Sequence, residues 1–166
     1  MRTLSYRYYP MKLTWNDLTI NFNHINSKTL TEDWIWLVGE HATPVIVSSI
    51  GDMFLSNRDG IYWLNVGEGN YEKVANDIED LKTKMNDNDL ANEWFMFDLV
   101  NSIKESGLHL TNGKLFSYKK LPIIGGEYEP DNFELTDIEV HFSIAGQIHQ
   151  QIKDLPDGAK INIKLK

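Results

Sequence analysis

The chain has 166 residues, of which 42% are hydrophobic and 11% are aromatic, which is enough apolar surface for one well-buried core. Its formal net charge of −8 repels phosphate backbones and attracts cationic surfaces, so a nucleic acid is not expected as a direct ligand. Solubility alone is the other explanation of this acidity. The sequence has no cysteine, which excludes disulfides, thiolate nucleophiles and cysteine-based zinc or iron–sulfur sites.

Membrane and export signals are not found in the sequence. No apolar run approaches the roughly 20 residues that a membrane-spanning helix needs, and the first ten residues have no apolar signal-peptide core. We therefore expect no contact with a membrane and a cytoplasmic location. Met11 is a second plausible start, so residues 1–10 are a candidate N-terminal extension, and residues 11–166 are predicted to form a single domain.

The first predicted elements are a short helix and a β-meander. Thr31 and two acidic residues precede Trp34–Gly39, a pattern that predicts a buried helix enclosed on both sides, because it carries two indoles. Three β-rich runs then follow at 44–50, 53–56 and 61–66. The turn signals Gly51-Asp52 and Asp59-Gly60 separate these runs, so we expect a three-stranded antiparallel meander.

A pair of helices is predicted after the meander. Apolar residues recur at helical spacing from Tyr71 to Met85 and again from Leu90 to Ile103. Because Asn86–Asp89 separates the two runs, we expect a helical hairpin that lies across the meander.

The remaining segments predict short strands and a C-terminal helix. A Thr-Asn-Gly turn favours a hairpin between 108–110 and 114–118. Residues 138–142 alternate like a strand, whereas Ile144 to Leu155 keep helical spacing, and Ile161–Leu165 alternates as a closing strand. The predicted fold class is α+β, with an antiparallel β-meander packed by a helical hairpin and a C-terminal helix.

One stretch stands out by its charge. From Glu127 to Glu139 the chain carries six carboxylates and no Lys or Arg, and we call these residues the acidic segment. Six like charges repel one another, and a basic protein partner would relieve that repulsion. The predicted partner-binding residues are Glu127, Tyr128, Glu129, Asp131, Phe133, Glu134, Asp137 and Glu139. The Glu68–Tyr71 loop is a weaker candidate.

Motifs for catalysis or cofactor binding are not found, so we expect no cofactor and assign no catalytic residue. On one continuous helix, Asp137, His141 and His149 could share a face as metal ligands, but a strand at 138–142 would separate them. Packing or solvated roles are therefore favoured, and no metal site is predicted. The alternative is a small-ligand or carbohydrate-processing enzyme that uses carboxylates and His141.

Several motifs resemble a known family. They are Asp33–Leu37, Gly51–Phe54, Arg58–Leu64, Trp94-Phe95, Pro122–Tyr128, and Val140-His141 through Gly146–Ile148. Together they are similar to the C-terminal domain of type VI secretion DNase-immunity proteins, long catalogued as a domain of unknown function. The resemblance implies a non-enzymatic protein that binds and neutralises a cognate effector, often a nuclease, in the cytoplasm of the producing cell. Longer members carry a separate N-terminal domain that this sequence does not contain, so the toxin is left open.

Overall fold

The structure is a computed structural model that describes residues 13–166. The candidate extension at residues 1–10 lies outside the described residues and stays a prediction. None of the helices in the described part is long and apolar enough to cross a membrane. The described chain begins with a single helical turn, α1 (Trp15–Leu18), which leads directly into the first strand.

A five-stranded antiparallel sheet forms the first half of the fold. Its strands are adjacent in chain order and are β1 (Thr19–Ile20), β2 (Thr43–Ser48), β3 (Met53–Asn57), β4 (Gly60–Asn65) and β5 (Asn70–Ala75). The predicted meander corresponds to β2–β4 and is confirmed. The tight turn between β3 and β4 closes at the pair Asn57 and Gly60, where Gly60 has φ of 154°.

The segment after the meander is a strand, and the prediction of a helix from Tyr71 was wrong. Residues 71–75 belong to β5, which pairs with β4 from Asn65↔Asn70 onward. The ring of Tyr71 stacks on that of Tyr62 across the two strands, with 4.8 Å between ring centroids. Cross-strand aromatic pairs of this kind stabilise a strand against its neighbour. The helical spacing is genuine only from Ile78 onward.

Three helices follow the sheet: α4 (Ile78–Met85), α5 (Asn88–Phe95) and α6 (Phe97–Glu105). The second predicted helix is therefore interrupted, at Met96, which has a left-handed φ of 49°. The Asn92 side chain stabilises this interruption, because its Oδ1 accepts a hydrogen bond of 3.0 Å from the Phe97 amide. The interruption turns the chain so that both halves contribute buried residues, Trp94 before it and Val100 after it.

The helices pack on the sheet, as predicted, and aromatic side chains form much of the contact. Phe54 of β3 is fully buried and meets Trp94 edge-to-face at 5.4 Å and Phe95 in a stacked arrangement at 5.6 Å. Leu81 of α4 and Ile103 of α6 are also fully buried in this layer. Sheet and helices thus share one apolar core, which is the predicted α+β arrangement.

A second sheet of two antiparallel strands comes next, formed by β6 (Lys114–Tyr118) and β7 (Phe133–Asp137). The predicted hairpin between 108–110 and 114–118 was wrong. The turn itself is present, because the Lys114 amide donates to Thr111 O at 3.1 Å, but β6 pairs with β7 instead. The strand expected at 138–142 was also wrong, since Ile138 begins a helix.

The C-terminal helix, α7 (Ile138–Ile152), packs on a group of short helical turns: α2 (Ser27–Thr31), a 3-10 turn (Glu32–Trp34) and α3 (Ile35–Val38). The Trp34 indole is fully buried and donates to Phe142 O at 2.9 Å. The expectation that this region is enclosed on both sides was wrong for Ile35, whose side chain is 43% exposed. One face of these turns meets α7, and the other faces outward.

Residues 153–166 run along α7 without forming a strand, so the predicted closing strand at Ile161–Leu165 was wrong. Side chains of α7 hold this segment by hydrogen bonds, and backbone pairing between strands does not. The Gln151 side chain donates to Lys164 O at 2.9 Å and accepts from the Lys164 amide at 3.0 Å. Gln147 Oε1 accepts from the Lys166 amide at 2.8 Å. The alternating Ile161 and Leu165 stay exposed, so the pattern does not mark a buried strand face.

Gly146→Ala should destabilise the protein, because a Cβ at this position of α7 would lie 2.6 Å from the backbone oxygen of Asp33. We expect the free energy of unfolding to fall by roughly 1–3 kcal/mol, despite the better helix propensity of alanine. Urea denaturation measures this change. The control Gln150→Ala, at an exposed position of the same helix, should change stability by no more than about 0.5 kcal/mol. Equal stability of G146A and wild type would contradict the close packing.

Candidate partner-binding surface

The acidic segment spans three elements: a 3-10 turn (Pro130–Asn132), the strand β7 and the first turn of α7. All six of its carboxylate residues are exposed, at positions 127, 129, 131, 134, 137 and 139. Most of the segment is ordered secondary structure. Its charges are therefore displayed from a fixed backbone.

The side chain of Asn132 holds the loop part of this surface. Its Oδ1 accepts from the Lys120 amide at 3.0 Å, and its Nδ2 donates to the backbone oxygens of Lys120 and Glu127, each at 2.9 Å. The Lys119 ammonium donates to Asp131 O at 2.8 Å. Five residues in two strand-flanking segments are thus tied together by polar contacts that involve none of the carboxylate groups.

The two glycines that precede the acidic segment have separate structural roles. Gly125 ends a 3-10 turn (Pro122–Ile124) with a left-handed φ of 96°. Gly126 has no room for a side chain, since a Cβ there would lie 1.8 Å from Lys120 O. Because both positions favour glycine, the Gly-Gly pair fixes how the chain enters the surface.

The carboxylates differ in what they contact. Asp137 forms an ion pair of 2.9 Å with Lys114, and Glu139 accepts from the Thr29 hydroxyl at 3.1 Å. The other four are Glu127, Glu129, Asp131 and Glu134, and none of them forms a salt bridge within residues 13–166. These four charges are available to a cationic partner.

A seventh carboxylate reaches the same surface from α6. Glu105 is exposed and lines a shallow groove of ≈ 730 Å³ together with Glu127, Glu129 and Asp131. Sequence reasoning missed Glu105, because only the packing of α6 against the 3-10 turn at Pro130–Asn132 brings it there. The groove is lined mainly by acidic and small polar side chains.

Tyr128 joins the two surfaces that the sequence proposed separately. Its hydroxyl donates a hydrogen bond to Glu68 Oε1, so the Glu68–Tyr71 loop and the acidic segment are neighbours. Partial burial and the adjacent Glu68 carboxylate both raise the pKa of Tyr128 above its ordinary value. The ring is 39% exposed and packs edge-to-face on Tyr118 at 6.0 Å. Tyr128 therefore offers an aromatic face to a partner and stays protonated.

Phe133 does not lie on this surface, although it was among the predicted partner-binding residues. Its side chain is 2% exposed and packs against Tyr118, with 4.7 Å between ring centroids. It belongs to the inward face of β7. The sequence suggested otherwise because Phe133 is surrounded by acidic residues, whereas alternation along the strand turns it into the core.

His141 and His149 are buried on α7 and are engaged in structural hydrogen bonds. His141 Nε2 donates to Gly51 O at 2.8 Å, so its Nδ1 accepts from the Ser117 hydroxyl at 2.7 Å. Burial lowers the pKa of His141 to about 4, so the ring is neutral. His149 Nε2 donates to Val66 O at 2.7 Å, and burial also lowers its pKa.

These contacts argue against a metal-binding or catalytic role for His141. Both nitrogens of His141 are occupied by protein groups, and Asp137 is exposed and paired with Lys114. No group of three or more potential metal ligands occurs within residues 13–166. The packing role that the sequence favoured for the histidines agrees with this geometry.

Asp52 is a buried carboxyl that sequence reasoning did not single out. Its side chain is fully buried, and Oδ1 accepts from the Val66 amide at 2.8 Å. Burial raises the pKa of Asp52 to about 7, although the Val66 hydrogen bond favours the charged form. The carboxyl thus joins the Gly51-Asp52 turn to the end of β4, next to the two carbonyls that the α7 histidines contact.

Comparison with known proteins supports the predicted resemblance. Residues 75–149 match the family described as "T6SS immunity protein Tdi1, C-terminal". Of the motifs above, Trp94-Phe95, Pro122–Tyr128 and the Val140–Ile148 region lie within the matched residues. The match supports an immunity role in type VI secretion, and it suggests a non-enzymatic protein. No support for the enzyme alternative comes from it. No curated protein sequence matches the chain.

A solved structure shares the fold. The crystal structure of Atu4351 from Agrobacterium tumefaciens aligns with a TM-score of 0.54 and 18% sequence identity, over 74% of this chain. The aligned part covers 64% of the length of Atu4351. At this identity the likeness shows a common fold.

Asp52→Asn should change how stability depends on pH. Because the pKa of Asp52 is raised to about 7 in the folded chain, the folded state keeps a proton that the unfolded state loses above about pH 4. Between these values the carboxyl lowers the free energy of unfolding as pH rises, by up to about 1.4 kcal/mol per pH unit. The asparagine amide does not ionise and makes no pH-dependent contribution, so D52N should gain stability relative to wild type as pH rises.

Urea unfolding of both proteins at several pH values between about 5 and 8 measures this difference. His141 acts in the opposite direction, because its lowered pKa favours the folded state as pH rises, but it is present in both proteins and cancels in the comparison. A stability difference that does not vary with pH would contradict the raised pKa of Asp52.

Proposed function

We propose that this chain, whose residues 75–149 match the C-terminal domain of type VI secretion immunity proteins, neutralises a cognate toxin by binding it through the acidic segment. Binding takes place in the cytoplasm of the producing cell. The observation that carries the proposal is that the matched residues include the whole acidic segment, from Glu127 to Glu139.

The charge of this surface favours a basic toxin. Three exposed carboxylates that form no salt bridge within the described residues, those of Glu127, Glu129 and Asp131, line a groove with Glu105, on a chain whose net charge is −8. A cationic protein is drawn towards such a surface, and electrostatic steering of this kind raises association rates by about 10–10³-fold. A nuclease fits this description, because its substrate-binding cleft must be positively charged to hold a phosphate backbone.

Neutralisation follows from occlusion. A surface that presents carboxylates in place of phosphates can occupy the cleft of a nuclease and exclude the nucleic acid. Tyr128 supplies an exposed aromatic side chain at the edge of the charged surface, and tyrosine is among the residues that contribute most to binding energy at protein interfaces. The hydrogen bonds of Asn132 keep the loop in one conformation, so little ordering is required on binding.

Reversing the charge of Glu129, Asp131 and Glu134 to lysine should weaken toxin binding without unfolding the protein. The expected partner is a type VI effector encoded beside the gene of this chain. We expect association to slow by about tenfold or more at low salt, because the steering field is reversed. The free energy of unfolding should change by no more than about 0.5 kcal/mol, since the three side chains are exposed. Surface plasmon resonance and urea denaturation measure the two quantities.

The control reverses Glu40, Glu72 and Glu93, which are exposed and lie outside the acidic segment. Both variants change the net charge by the same amount, so a local effect is separated from a global one. Equal slowing in both variants would contradict a role for the acidic segment itself. If the wild-type chain does not bind the adjacent effector, the proposed function is wrong.

A further inference from the structure

The hydrogen-bond pattern of the second sheet shows which backbone groups of β7 face away from β6. In an antiparallel pair, successive residues alternate between hydrogen-bonded and non-hydrogen-bonded positions. The Phe116 amide donates away from β7, to Ser49 O at 2.8 Å, so its partner Leu135 occupies a non-hydrogen-bonded position.

Both ends of the ladder give the same alternation. The Lys119 amide donates to Asn132 O at 2.7 Å, and the Ile138 amide donates to Gly113 O at 3.1 Å. Both Asn132 and Ile138 therefore occupy hydrogen-bonded positions, and so does every second residue between them. Glu134 and Thr136 thus direct their backbone groups towards β6. The backbone groups of Phe133, Leu135 and Asp137 therefore point to the other side of the strand.

These outward groups form an unpaired strand edge. Within residues 13–166, no strand pairs with the other side of β7. The Phe133 amide is used by the preceding 3-10 turn, where it donates to Pro130 O. Four groups remain without a hydrogen bond from the described residues: the carbonyl of Phe133, the amide and carbonyl of Leu135, and the amide of Asp137. A row of this kind is a template for a further strand.

An apolar groove lies on one side of the same strand. It has a volume of ≈ 220 Å³ and is lined by Glu134 and Thr136 of β7, by Ile144 and Ile148 of α7 and, just after β6, by Lys119 and Lys120, among others. Basic side chains of an added strand are therefore complementary to the Glu134 side, away from these lysines. Ile144 is 38% exposed and Val140, one turn earlier on the helix, is 43% exposed. A strand added to β7 would place alternate side chains against this face. Backbone bonds with pockets for alternate side chains are the usual features of peptide recognition by strand addition.

Charge decides which strand fits this edge. Glu134 lies on β7 and Asp131 precedes the strand; both are exposed and form no salt bridge within the described residues, whereas Asp137 is paired with Lys114. A second copy of this chain would bring the same carboxylates against each other, which is unfavourable. An extended segment with basic residues at the positions facing these carboxylates is complementary.

We propose that the free edge of β7 binds an extended, basic segment of the toxin as an added β-strand, centred on the amide and carbonyl of Leu135. This inference rests on the proposed function and specifies how the toxin is recognised. The added strand is held by the backbone of β7, a basic side chain meets Glu134, and apolar side chains enter the groove beside Ile144.

Residue-resolved amide hydrogen exchange of the full chain tests the proposal. In the free protein, the Glu134 and Thr136 amides should exchange slowly, because they bond to β6, whereas the Leu135 amide should exchange rapidly. Addition of the effector encoded beside the gene should slow exchange at Leu135 by at least about tenfold and leave Glu134 and Thr136 little changed.

A backbone variant provides the second test. Leu135→Pro removes the outward amide and spares both ladder residues, since proline is tolerated where the missing N–H faces away from the sheet. The matched control Leu135→Val keeps the amide and an apolar side chain. We expect L135P to weaken effector binding by about tenfold or more, with L135V close to wild type. Circular dichroism of each variant checks that the fold is kept.

Each other outcome decides against the inference. Slow exchange at Leu135 in the free monomer would mean that another segment of the chain already covers the edge. Protection that rises with the concentration of the chain alone would identify a second copy as the occupant. Effector binding without protection of Leu135 would overturn strand addition and leave the proposed function intact, whereas no effector binding at all would overturn both.

Discussion

The position of α7 depends on two buried histidines that bond to the ends of the meander. His141 contacts the carbonyl of Gly51, after β2, and His149 contacts that of Val66, after β4. A side chain at Gly51 would lie 2.1 Å from the His141 ring, and one at Gly69 would lie 2.5 Å from the His149 ring. The two glycine turns therefore leave room for the imidazoles, and burial of each ring lowers its pKa.

The histidine contacts also position the candidate interface, because β7 continues directly into α7 without a linker. Asp137 is the last residue of the strand, and Ile138 is the first of the helix. Ser117 of β6 also bonds to His141, so the second sheet and the helix are held at the same point. The acidic segment is thus fixed at its C-terminal end by the core, and at its N-terminal end by the Asn132 contacts with Lys120.

Local patterns predicted the parts of the fold whose partners are close in sequence. The meander follows from β-rich runs joined by Gly-Asp and Asp-Gly turns, and the helices from apolar spacing after Ile78. Tyr71 was assigned to the wrong element because its spacing suits both a helix and a strand, and only stacking on Tyr62 distinguishes them. The pairing of β6 with β7 joins segments separated by a long loop, which no local pattern reports. The carboxylates of the surface could be read from the sequence, whereas the burial of Phe133 and the position of Glu105 depend on tertiary packing.

The residues that shape the acidic surface are different from the residues that display its charge. Gly126 and the amide of Asn132 set the path of the backbone, while the free carboxylates at 127, 129, 131 and 134 make no contact on which that path depends. Exchange of one displayed side chain for another thus leaves the scaffold intact. Under the proposed function, single substitutions at these positions can change which toxin is bound while the protein stays folded. If the acidic segment binds the toxin as proposed, the chain can therefore diverge most at the positions that set which partner it recognises.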